Sequence, residues 1–161
     1  MPATAGAEPY GFILVTSDPA LAAGRHGRAL DLVRARLTLR EWPIYARTRS
    51  RRSMRPGQRV AFYVGGRGPS GGTVVATAIV EGVDPARRAG PRVDPAKYLT
   101  DEPVIVLRLR DLVELETPVP FRDALPLLSF RPRNLDKWGI ILHGGSRGMT
   151  EGDWEILFGR R

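Results

Sequence analysis

The sequence predicts a mixed α+β domain: a small curved sheet or mixed β-barrel of five to six strands with two to three short helices at its ends. Three observations lead there. Apolar runs rich in β-branched and aromatic residues recur at 10–16, 59–64, 73–80, 103–109 and 137–142. They are joined by turns more often than by long helical patterns, which argues against repeated βαβ units. The chain has 161 residues and is 42% hydrophobic, enough for one domain with a core of its own.

Each element has a local reason. Tyr10-Gly-Phe-Ile-Leu-Val-Thr16 is dense in β-formers and reads as the first strand. Asp18 is placed to cap a helix with Pro19 at its first position. Gly24 and Gly27 interrupt that helix. It resumes from about Arg28, where Leu30, Val33 and Leu37 recur at helical spacing. The short aromatic segment 41–48 follows, and then a run with Arg47, Arg49, Arg51, Arg52 and Arg55. Arg55-Pro-Gly-Gln58 is a turn into the strand 59–64. The glycine-rich stretch 65–72 is a hairpin connection, and 73–80 is apolar on both faces, as expected of a central strand. Residues 84–101 read as a long loop and 103–109 as a strand. Residues 119–126 read as a short helix or turn, and 137–142 as the last strand. Thr150-Glu-Gly-Asp153 is a capping box that opens a C-terminal helix through Phe158. Residues 1–9 read as a flexible tail before a single domain at 10–161.

Composition narrows the function. There is no cysteine, which removes disulfides, thiolate nucleophiles and cysteine-bound zinc and fits a reducing cytoplasm. His26 and His143 are the two histidines, too few for an expected metal site, and no cofactor is expected. No apolar run is long enough for a membrane helix. The first nine residues lack the basic start and apolar stretch of a signal peptide. The formal net charge is +8, almost all from arginine, since lysine occurs only at Lys97 and Lys137. Arginine suits phosphate because its planar fork donates in pairs, and a basic surface attracts nucleic acid. A GC-rich coding sequence accounts equally well for the arginine preference, though less well for the positive excess.

The catalytic constellations are weak. The loop 65–72 lacks a Gly-Lys-Ser/Thr ending and precedes a strand, so it is neither a phosphate loop nor a dinucleotide fingerprint. Glu151, Asp153 and Glu155 suit the start of a helix better than acid–base work. Ser146 is not in a nucleophile elbow. The aromatics are more informative. Trp42 and Tyr45 stand just ahead of the arginine run, and Phe62 and Tyr63 point to opposite faces of one strand. A flat base is best held between aromatic faces with arginines gripping the flanking phosphates. Core packing is the competing role for each of these rings.

The order of segments resembles the EVE domain, a member of the PUA-like superfamily that also contains YTH and ASCH domains. The pieces are the opening strand ending in Thr16-Ser17, Trp42-Pro-Ile-Tyr45, and the stretch from Met54 to Tyr63. Residues 73–80, Val119-Pro-Phe-Arg122, Leu128-Ser-Phe130 and Lys137-Trp-Gly139 follow. Gly144-Gly-Ser-Arg147 and Met149-Thr-Glu-Gly-Asp-Trp154 close the series. The chain departs from the family at Gln58, where Asp is usual, and its loop 84–101 has no tryptophan where the related YTH domains place a cage tryptophan, Tyr98 being the candidate substitute. The resemblance implies a barrel with a small concave pocket and a non-catalytic role as reader of a modified base, flipped or single-stranded, in DNA or RNA. It implies a pocket formed by Ser17, Trp42, Tyr45, Thr48, Val64, Gly65 and Tyr98, with phosphate contacts from Arg47, Arg49, Arg51, Arg52 and Arg147. Burying one methyl contributes only about 1 kcal/mol, so aromatic caging would have to supply the rest of the selectivity. The alternatives are a general RNA-binding PUA-like module without modification preference, and a small ASCH-like nuclease or hydrolase.

Overall fold

The computed structural model describes residues 8–19, 27–86 and 102–159. One six-stranded sheet organises them: β1 (Gly11–Thr16), β2 (Glu41–Ile44), β3 (Arg59–Val64), β4 (Thr73–Pro85), β5 (Ile105–Pro120) and β6 (Ser146–Met149). The spatial order is β2-β5-β4-β3-β1-β6. β1 and β3 run parallel, and the other neighbours run antiparallel. Register shifts interrupt the β3–β4 pairing once and the β4–β5 pairing at three places. Each extra residue bends its strand and adds twist, so the long β4–β5 ribbon curls and the sheet becomes a half-barrel.

Alternation along β1 explains why both faces are covered. Phe12 and Leu14 belong to one core cluster, with Val33, Leu37, Trp42, Phe62 and Leu107. Ile13 belongs to the other, with Phe121, Leu128, Phe130, Trp154 and Leu157. Helix α1 (Ala29–Leu39) closes the first face through Leu32, Val33, Arg36 and Leu37. The short helix α2 (Phe121–Ala124), two 3₁₀ segments (Leu125–Leu127 and Leu135–Leu142) and helix α3 (Glu151–Phe158) close the second. The capping box forms as its spacing requires: Asp153 N–H donates to Thr150 Oγ1 at 3.1 Å, and Thr150 N–H donates to Asp153 Oδ2 at 3.0 Å. Asp153 reaches further, accepting from both the N–H and the O–H of Ser129 at 2.7 Å.

Two sequence expectations need correction. Residues 137–142 are not a strand: Leu135–Leu142 is 3₁₀, entered through Asn134, whose side chain accepts from Asp136 N–H. Its exposure pattern excludes a strand, since Ile140 is 58% exposed while Ile141 and Leu142 are buried consecutively. The last strand is β6, a four-residue segment with two apolar-poor central positions that carries no strand signal of its own. The strand at 103–109 continues to Pro120 as β5, because its outer half alternates with Arg110, Glu114 and Glu116 facing water. Asp84 and Pro85 belong to β4, and residues 87–101 of the expected loop lie outside the described residues.

The helix expected from Pro19 also falls largely outside them. Asp18 does cap a helix, but the one that begins at Ala29: its Oδ1 accepts from Ala29 N–H at 3.0 Å. Gln58, the departure from the usual Asp, is buried and fully used. Its Oε1 accepts from Arg55 N–H at 2.6 Å, and its Nε2 donates to the carbonyls of Pro9 and Ser53, each at 3.1 Å. A shorter aspartate has no N–H to make the last two bonds.

Candidate functional site

Because β1 and β3 are parallel neighbours, their carboxyl ends arrive together, with Thr16 opposite Val64. Gly65 N–H donates to the Thr16 carbonyl at 2.7 Å. A Cβ on Gly65 would stand 3.6 Å from Ser17 Oγ. Ser17, Val64 and Gly65 therefore share one neighbourhood, with Ser17 exposed at its mouth. Asp18 fixes this corner. Besides Ala29 N–H it accepts from Arg67 N–H at 2.9 Å, joining the start of α1 to the glycine-rich connection. The Arg67 and Ala29 backbone donors hold its carboxyl below the usual value. Gly66 has φ +81, and any Cβ there would collide with the Asp18 carboxylate, so only glycine permits the approach.

Thr16 is the member that the sequence reading missed. It follows Phe12 and Leu14 at strand spacing, so its side chain faces the α1 side of the sheet. It is 4% exposed, and its Oγ1 is buried with no hydrogen-bond partner among the described residues. Buried hydroxyls nearly always have one, and leaving one unmet costs about 1–3 kcal/mol. The only hint in the sequence is a hydroxyl residue at an inward position of an otherwise apolar strand.

On that same face lies Trp42 of β2, which is 3% exposed. The Phe62 ring centroid is 4.6 Å from that of Trp42. The Arg36 guanidinium lies over the Trp42 ring, 4.9 Å from its centroid. Trp42 is thus covered in this structure, by a core ring and by a cation from the last turn of α1. Such a contact contributes about 2 kcal/mol when desolvated. Arg36 Nη2 also donates to Tyr45 Oη at 3.3 Å. Tyr45 in turn closes a tight turn with Thr48: Tyr45 N–H donates to Thr48 Oγ1 at 3.1 Å, and Thr48 N–H to the Tyr45 carbonyl at 3.0 Å. That turn sits at the end of β1. A Cβ on Gly145 would lie 3.8 Å from Thr48 Oγ1, and the Gly145 carbonyl accepts from Val15 N–H at 2.9 Å. The fold therefore links Trp42, Tyr45 and Thr48 to the corner formed by Ser17, Val64 and Gly65. Tyr98 lies outside the described residues.

The arginine run rims this region. Arg47, Arg49 and Arg52 are exposed and Arg51 is half-buried at the start of a 3₁₀ turn (Arg51–Ser53). No acidic residue occurs from Trp42 to Val80. Among the described residues the ion pairs lie elsewhere, at Arg34–Glu114, Arg108 with Glu81 and Asp84, and Arg110–Asp111. The loop backbone is held firmly: Arg49 N–H donates to the Gly144 carbonyl at 2.8 Å, and Ser146 Oγ donates to the Arg49 carbonyl. Arg147 is not part of this rim. It stands opposite Ile13 on β6, and its guanidinium lies 5.2 Å from the Phe130 ring centroid on the other face of the sheet.

Ser146 Oγ is committed to Arg49 and Ser129 Oγ to Asp153. His143 is exposed, and His26 lies outside the described residues. Among the described residues no three His, Asp or Glu side chains group as metal ligands would, and no helix is long and apolar enough to cross a membrane.

No family model and no curated protein matches the chain. Among solved structures, the N-terminal domain of Staphylothermus marinus McrB is similar, with a TM-score of 0.52 and 11% identity over 95% of each chain. At that identity the likeness speaks for architecture alone, and together with the strand order it establishes a mixed α+β fold built on a curled half-barrel sheet.

Proposed function

We propose that this domain binds nucleic acid and reads one modified base, lifted out of its stack, without performing chemistry on it. One observation carries the reading. An arginine loop with no acidic residue in its own stretch of sequence is bonded through its backbone to Gly144 and Ser146 at the start of β6, beside the end of β1 that buries the Thr16 hydroxyl, without a partner among the described residues, on the Trp42 face. Exposed arginines without carboxylate partners are suited to phosphates. A buried hydroxyl without a partner is suited to the edge of an entering base. The EVE resemblance supports the same assignment, with Trp42 as the stacking surface and Ser17 and Thr48 beside the base. Binding is favoured over catalysis because the residues brought together here are rings, arginines and neutral hydroxyls, with no general base among them.

The test is a binding series with otherwise identical DNA and RNA oligonucleotides, unmodified or carrying one 5-methylcytosine, N2-methylguanine or N6-methyladenine. The parent is expected to prefer one modified probe over its unmodified twin by about five-fold or more, the scale of one buried methyl. Thr16→Val, which keeps the shape and removes the hydroxyl, is expected to weaken the preferred probe and its unmodified twin alike, by several-fold, while salt-sensitive background binding persists. Equal affinity for every modified and unmodified pair would overturn the reader assignment and leave a general nucleic-acid-binding module.

A further inference from the structure

Resting on that reading, we infer that Arg36 chooses the base. Its guanidinium holds the place of a base on Trp42 and, when a base displaces it sideways, becomes the fork that reads two neighbouring acceptors. The substrate class is then a modified cytosine or guanine and not N6-methyladenine.

The placement argues first. Arg36 is 7% exposed, unusual for a long cationic side chain, and its flat guanidinium lies over the Trp42 ring at 4.9 Å. A planar cation on an aromatic face occupies the same kind of space as a stacked base. An entering base that stacks on Trp42 must move it. The side chain hangs from the last turn of α1 and stays tethered within reach, with Tyr45 Oη as one of its partners at 3.3 Å.

The donor count argues next. A guanidinium only donates, and it stays charged at any working pH. Tyr45 Oη accepts from Arg36, which leaves its own proton to give away. Thr48 Oγ1 accepts from Tyr45 N–H and likewise keeps a proton to donate. Thr16 Oγ1 is the one side-chain group of this set with both roles open among the described residues. A donor-rich surface is matched by a base that offers acceptors side by side. Cytosine has them at O2 and N3, freed once the base leaves its pair. Guanine has them at O6 and N7, the pair that arginine reads in duplex DNA. Adenine has no such pair, because its amino group separates N1 from N7 and faces the fork with another donor. In uracil and thymine an N–H separates the two carbonyls.

The experiment uses the full chain and competition binding with oligonucleotides carrying one 5-methylcytosine, N2-methylguanine, 5-hydroxymethyluracil or N6-methyladenine. The parent is expected to favour the cytosine or the guanine probe over the adenine probe by about ten-fold, the scale of one bidentate arginine contact. The first two probes separate the two sources of the acceptor pair. Arg36→Met is expected to remove the discrimination by weakening that probe relative to the adenine probe. Arg36→Lys keeps the charge and the stem but not the fork, so it too is expected to lose most of the discrimination. That variant decides the matter if Arg36→Met does not fold, because a purely structural or electrostatic role would be rescued by lysine. A parent that prefers N6-methyladenine or 5-hydroxymethyluracil, or an Arg36→Lys variant with full discrimination, overturns the inference while leaving the reader assignment intact. Failure of the reader assignment looks different, since no modified probe would then be preferred to its unmodified twin.

Discussion

Ser146 Oγ donates to the carbonyl of Arg49, joining two residues 97 positions apart. Ser146 is fully buried at the start of β6, and Arg49 is exposed at the centre of the basic loop. A rigid strand thus holds the backbone from which the cationic side chains project. Ser146→Ala is expected to lower stability by about 1–2 kcal/mol, since the Arg49 carbonyl loses a buried donor. It should also weaken binding to unmodified oligonucleotides a few-fold while leaving the salt slope unchanged, because the charges remain. Chemical denaturation and binding across a salt series measure both. Unchanged stability would mean that the bond is not formed.

The arginines themselves should behave differently. Replacing Arg47, Arg49 and Arg52 together with glutamine is expected to weaken all oligonucleotides about equally. The slope of log affinity against log salt should flatten by about 2–3, near 0.7–0.9 for each lost phosphate contact. The folding midpoint should hardly move, since all three side chains are exposed and none is in an ion pair among the described residues. An unaltered slope would place the phosphate track on another surface.

Thr16→Val should raise stability or leave it unchanged. The parent buries a hydroxyl with no partner among the described residues, and the substitution replaces that oxygen with a methyl group of similar shape. The expected gain is up to about 1 kcal/mol. A loss of 1 kcal/mol or more would show that the hydroxyl is already satisfied in solution. Stability gained together with weaker binding of the preferred probe is the signature of a residue kept for binding.

Asp153 governs the acid limb of stability. Burial pushes its carboxyl up, but donors from Ser129 and Thr150 more than offset this and hold it below its ordinary value of 3.8. A group depressed in the folded state contributes fully above its unfolded value and loses that contribution as pH falls through the lower folded one. Stability should therefore be flat in this respect near neutrality and decline below about pH 4. Asp153→Ala should cost about 2–3 kcal/mol at pH 7, from a lost cap and two orphaned Ser129 donors. It should also flatten the decline below pH 4. An equal acid slope in the variant and the parent would assign that limb to other carboxylates.

Much of the fold was legible because local chemistry and tertiary structure agree. The Thr150–Asp153 box, the turn at Arg55–Gln58 and the helical spacing of Val33 and Leu37 each specify their element without help. The exceptions are segments whose neighbours decide. Leu135–Leu142 is apolar enough for a strand, yet the second face of the sheet needs a compact cover there. β6 is a strand only because β1 offers it an edge. At the site, Trp42, Tyr45 and Thr48 stood out in the sequence as aromatic or polar groups ahead of a basic run. Arg36 and Thr16 did not, because nothing local distinguishes an arginine lying on a ring, or a threonine without a partner, from ordinary helix and strand residues.

The pairing of β1 with β6 has a consequence for how the chain reaches this state. Gly11 lies opposite Met149, so the first strand is flanked by a segment that leaves the ribosome long after it. Contacts so distant in sequence form slowly, because a long loop must close before they reward it. Until β6 arrives, one edge of β1 stays open, and the basic loop lacks the Ser146 anchor that fixes its backbone. The domain is thus expected to acquire its binding surface late, in the same step that covers the open edge of β1. A fragment truncated before Ser146 should expose an aggregation-prone strand edge.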